Sequence, residues 1–109
     1  MTDRIAKLIA VKTAVEAGVW DHDTVARWLW SQTGRLYGFA HAAFNGYTDH
    51  AIALMAAVEV HDRLEMFRAD DGTWGVNLGE RDTVFHPVLS VALLLAILSA
   101  LIEREGHHA

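Results

Sequence analysis

Ile5, Leu8, Ile9, Lys12 and Val15 recur at the spacing of one helical face, and Gly18 stands where a left-handed cap would end the turn. The pattern therefore predicts a first amphipathic helix over 3–17. A second helix opens at Asp21, whose carboxylate can accept from first-turn amides, with Trp20 and Val25 spaced as a hydrophobic staple and Gly34 closing the element. Within it Val25, Trp28 and Leu29 share a face and Trp30 points elsewhere. Leu36 to Phe44 reads as a short third helix ending at Asn45 and Gly46, a pair suited to positive φ. Thr48 then caps a fourth helix with Asp49 in its first turn, Ala51, Leu54, Met55 and Val58 as its buried stripe, and an end near Val60.

From Arg63 the period changes to two. Leu64, Met66 and Arg68 alternate with Glu65 and Phe67, Asp71 and Gly72 form a turn pair, and Trp74, Val76 and Leu78 alternate with Gly75 and Asn77. Two antiparallel strands follow from this, and Thr83 to Phe85 reads as a short third. Pro87 suits the first turn of a last helix running to about Arg104, with a polar, frayed tail from about 103. That helix carries two apolar stripes: Leu89, Ala92, Leu93, Ala96, Ile97 and Ala100 on one side, and Val91, Leu94, Leu95, Leu98 and Ile102 on the other. The expected fold is one α+β domain over 1–109, with N-terminal helices, a small antiparallel sheet of two to three strands and the long apolar helix packed on it. A helix apolar all round must be covered twice. The sheet covers one side, so the expectation is a two-fold homodimer through Leu94, Leu98 and Ile102.

Composition narrows the classes. At 109 residues, 52% hydrophobic and 21% charged, the chain is globular and too short for two independent cores. The absence of cysteine removes disulfides, thiolate zinc sites and Cys nucleophiles. Asp3, Arg4 and Lys7 interrupt the first apolar stretch, which reads against a signal peptide and for a cytoplasmic protein. Val88 to Ile102 is uncharged but spans only about 22 Å against a hydrocarbon core of about 30 Å, so no membrane role is expected.

The formal charge of −5 argues against direct binding to nucleic acid. Residues 37–109 hold four basic and ten acidic side chains, so the acidity lies in the second part of the chain. Its bland reading is solubility; its functional reading is complementarity to a basic protein surface, with Asp70, Asp71, Glu80 and Asp82 as candidate contacts. Trp30 and Tyr37 are candidate exposed aromatic anchors for a protein partner.

Candidate chemistry adds little. Seven histidines invite a metal reading, yet none pairs at i, i+4 and no HExxH is present, which leaves only a set assembled across the fold, such as His50, His61 and Asp62. The paired acids all fall in caps and turns, where structural duty explains them. Ser90 and Ser99 lie on the last helix, where hydroxyls normally bond back to the backbone. There is no GxSxG, no GxGxxG and no P-loop. The reading is therefore a non-enzyme with no cofactor and no metal.

The stretch Gly46, Tyr47, Thr48, Asp49, His50, Ala51, Ile52, Ala53, Leu54 resembles the central motif of the phage ABA sandwich proteins, in which a Tyr-Ser/Thr-x-Asp-like turn leads into an alanine-rich helix. Trp74 and Val76 stand in the place of that family's Trp-rich strand, and Pro87 to Leu101 in that of its closing helix, so the similarity covers residues 36 to 102. His50 departs from the pattern's small residue and Tyr47 from the Ser of one version. The resemblance implies a small α+β sandwich of phage or prophage origin without an established enzymatic activity. Joined to the acidic second half, it gives the expected function: an accessory protein that binds another protein, as an inhibitor of a host defence or nucleic-acid-handling complex. A component of a phage-like particle and a small-ligand-binding module are the competing readings.

Overall fold

A computed structural model of the chain describes residues 3–23, 25 and 34–108. Helix α1 (Asp3–Glu16) is followed by α2 (Gly34–Phe44), α3 (Thr48–Ala57), strands β1 (Leu64–Arg68), β2 (Trp74–Leu78) and β3 (Val84–His86), and α4 (Leu89–His108). The expected α+β architecture is what the chain adopts, with α4 packed on a three-stranded antiparallel sheet of order β1-β2-β3. Of the expected second helix, Asp21 sits at the N-cap position, its carbonyl accepting from Val25 N–H at 3.0 Å. The rest of it, with Trp28, Leu29 and Trp30, lies outside the described residues.

The helix ends follow backbone rules. At the end of α1, Val19 N–H donates to Ala14 O (2.9 Å) and Gly18 N–H to Val15 O (3.0 Å), with Gly18 at φ 74°, as its position in the sequence implies. The same double bond closes α2, where Gly46 has φ 107°. Gly34 is the first residue of α2, and Tyr47, not Thr48, holds the N-cap position of α3 without a side-chain capping bond. Helix α3 also stops earlier than expected, at Ala57. Val60 N–H reaches back to Met55 O (3.0 Å), which puts Glu59 at φ 59° in the left-handed region normally left to glycine.

In the sheet the period of two holds: Trp74, Val76 and Leu78 face α4, while Gly75 and Asn77 face away. Strand β3 lies one residue later than expected, at Val84–His86. Pro87 precedes α4 rather than sitting inside its first turn, because Val88 O accepts the first helical bonds from Val91 and Ala92. His86 Nδ1 in turn accepts from Val88 N–H at 2.9 Å.

Both apolar stripes of α4 are buried by the chain itself. Every residue from Ser90 to Leu98 is buried, and α4 packs against β2 and β3 and also against α1, α2 and α3. Leu94 and Leu98 are fully enclosed, and Ile102 is half-buried against the same core. The stripe expected to meet a second copy is therefore not available to one. The N-terminal helices supply the cover, each enclosed leucine contributing about 1.5–3 kcal/mol. Ser99 Oγ donates to Leu95 O at 3.0 Å as expected, whereas Ser90 Oγ is buried with no hydrogen-bond partner among the described residues.

The end of α4 continues through His108, past the expected limit near Arg104. Three contacts with sequence-distant residues hold it: Arg4 to Glu105 (2.7 Å), Arg81 to Glu103 (2.9 Å) and Arg104 Nη1 to Glu59 O (3.1 Å). The carbonyl that Arg104 meets belongs to the left-handed Glu59, so the backbone conformation matters there and the glutamate side chain does not. Glu59→Gly should therefore raise stability by about 0.5–1 kcal/mol in chemical denaturation, the relieved left-handed penalty exceeding the added chain entropy. A loss of stability would show that the Glu59 side chain stabilises the fold.

Candidate functional site

Strand β3 forms one edge of the sheet, and beside it runs a cleft of about 740 Å³ whose other walls are α1 and α4. Lys12 and Glu16 come from α1, Leu95, Ser99 and Glu103 from α4, and the remainder from the run Glu80 to His86. The volume falls within the range of roughly 300–1,000 Å³ usual for ligand clefts.

Arg81 organises one end of this cleft. Its Nη1 donates to Asp62 Oδ2 (2.6 Å) and Leu78 O (3.1 Å), and its Nε to Glu103 Oε2 (2.9 Å). The hydrogen bond that Arg81 donates to Asp62, with Glu103 alongside, raises the guanidinium above its ordinary value and keeps it charged. Gly79 makes the arrangement possible. It has φ 67°, and a Cβ there would stand 2.8 Å from Asp62 Oδ2, so a larger residue would push the aspartate off the arginine. With Arg81 and Glu103 joined, the charges left in the cleft are the carboxylates of Glu16, Glu80 and Asp82 against the single ammonium of Lys12. Among the described residues none of the three carboxylates has an ion-pair or hydrogen-bond partner.

The outer face of the sheet carries a second feature. Phe67 lies across Gly75, where a Cβ would run into the ring, and Phe85 meets Phe67 edge-on at 6.0 Å. Phe85 is 55% exposed and Phe67 40%. Among the described residues α4 is the only helix that packs broadly on the sheet, and it covers the opposite face.

The residues singled out from the sequence are not gathered into one site. Trp30 lies outside the described residues. Tyr37 is half-buried rather than an exposed anchor: its hydroxyl accepts from Trp20 Nε1 (3.0 Å) and hydrogen-bonds His22 Nδ1, and its ring packs edge-on to Trp20. Asp70 and Asp71 lie in the β1–β2 turn, at the end of the sheet opposite Glu80 and Asp82. Asp71 Oδ1 accepts from Thr73 N–H (2.9 Å) and Thr73 Oγ1 (2.6 Å), so it holds the hairpin turn. Only Glu80 and Asp82 of the acidic candidates line the cleft. Lys12, Glu16 and the open position of Phe85 carried no sequence signal, since each is set by contacts between distant segments.

Among the described residues the histidines are not gathered into a metal site. His50 Nδ1 pairs with Asp49 (3.1 Å), Asp62 is held by Arg81, and among the described residues no group of three or more His, Asp or Glu could hold an ion. Nor is any helix of the described residues long and apolar enough to cross a membrane. Comparison with family models, with curated proteins and with solved structures finds no match to the chain.

The Thr73 hydroxyl, helped by its amide, holds the Asp71 carboxyl below the ordinary value of 3.8. A carboxyl lowered on folding stabilises above its unfolded value, and that stabilisation is lost as pH falls through the folded one. Asp71→Ala should lower the melting temperature by a constant amount near neutrality, and the gap to the parent should narrow below about pH 4. A gap that stays constant down to about pH 2 would mean the charge on Asp71 plays no part.

Proposed function

We propose that this chain is a small accessory protein that acts by binding another protein through its acidic cleft, in the phage or prophage setting that the sequence resemblance implies. The observation that carries the reading is the set of carboxylates from Glu16, Glu80 and Asp82, which lack cationic partners among the described residues and surround an open cleft. Leaving charges unpaired costs the free chain little in water, and it gives a cationic partner both faster encounter and a fixed orientation. An inhibitor of a host defence or nucleic-acid-handling complex is the role that best uses such a surface, because those complexes present basic faces. No cofactor and no catalysis enter this reading, and a cytoplasmic location suits it.

The size of the cleft favours a second reading, a small-ligand-binding module. A thermal-shift screen against nucleotides and metabolites separates the two, since only a ligand binder should be stabilised. The particle-component reading loses its main support because the apolar faces of α4 are occupied within the chain.

The test is capture by the immobilised full chain, with Glu80→Lys/Asp82→Lys as the comparison. Basic proteins should be retained by the parent and lost from the double variant, and retention should fall at least ~10-fold as salt rises from about 0.05 M to about 0.5 M. Retention that ignores both salt and charge reversal would contradict the proposal.

A further inference from the structure

The hydrogen-bonding phase of the sheet is fixed at two places. Gly79 N–H donates to Arg63 O (2.8 Å) and Ala69 N–H to Thr73 O (2.8 Å), so the odd-numbered residues of β2 bond to β1. Its even-numbered residues then bond to β3, through the pairs Trp74 with His86 and Val76 with Val84. Phe85 sits opposite Gly75 in the intervening pair, and its N–H and C=O point away from the sheet along the free edge. Among the described residues neither group has a hydrogen-bond partner. That edge is the one that borders the acidic cleft.

We propose that the free edge of β3 is a strand-addition site for an extended, basic segment of a partner protein. The proposal rests on the acidic-cleft reading above and adds to it the mode of binding. An added strand takes its main-chain bonds from Phe85 and sends alternate side chains to opposite faces of the sheet. Those on the inner side enter the cleft, where Lys or Arg meets Glu16, Glu80 and Asp82. Those on the outer side lie against the exposed ring of Phe85, which favours an apolar residue. The recognised pattern is therefore basic and apolar residues in alternation. The other edge, β1, is a poorer template, because it carries Glu65 and Arg68, charged side chains of the kind that discourage pairing.

The test is selection of a display library of randomised eight-residue peptides on the full chain. The comparison variants are Phe85→Pro, which removes the outward N–H without touching a β2–β3 bond, and Phe85→Leu, which keeps it. Peptides enriched on the parent should carry alternating Lys or Arg, bind the Leu variant, and bind the Pro variant ~10-fold or more weakly. Amide exchange on the parent guards against a Pro variant that fails to fold, because the Phe85 amide should slow when a selected peptide binds. No enrichment of basic peptides would overturn both this proposal and the acidic-cleft reading. Basic peptides weakened by Glu80→Lys/Asp82→Lys but indifferent to Phe85→Pro, with Phe85 exchange unchanged, would overturn strand addition alone. A dimer that Phe85→Pro dissociates would give the edge to a second copy and overturn it as well.

Discussion

Helix α4 is apolar on every side between Ser90 and Leu98, and a chain of this size has to enclose it completely. A three-stranded sheet covers one side only, and β1 at its margin packs mainly on β2. The remaining cover comes from α1, α2 and α3, which converge on α4 from the other directions. Because the enclosure is intramolecular, the Leu94 and Leu98 stripe expected at a dimer contact is spent inside the fold.

Enclosing α4 also shapes the cleft. Helix α1 lies along α4 beside the edge of β3, and the two leave a trough that neither fills. The ion pairs around the end of α4 locate this arrangement more than they stabilise it, since exposed pairs contribute about 0–1 kcal/mol each. Arg81 is the exception in connectivity. It joins the approach to β1, the β2–β3 turn and α4 through Asp62, Leu78 O and Glu103. By using Glu103 it also leaves the other carboxylates of the cleft as the net charge that a visitor would meet.

Local features were legible in the sequence and non-local ones were not. Gly18 and Gly46 mark helix ends because only glycine takes positive φ without cost, and Trp74, Val76 and Leu78 mark a strand because one face is buried. Glu59 gives no such signal, since a glutamate held left-handed by the surrounding chain looks like any other in sequence. The cover over Leu94 and Leu98 was equally hidden, because whether helices far earlier in the chain reach that face depends on tertiary packing. The acidic candidates divided for the same reason: Asp71 serves its own turn, while Glu80 and Asp82 gain a counterpart in Glu16 only when α1 is laid beside β3.

An enclosed helix beside an open strand edge predicts a sharp contrast in hydrogen exchange, and residue-resolved exchange of the free chain measures it directly. Amides from Val91 to Leu101 should exchange only through global unfolding. Phe85 should exchange near the unprotected rate, although Val84 and His86 on either side of it are slow through their bonds to β2. A Phe85 amide as slow as its neighbours, or α4 amides that open locally, would contradict the account.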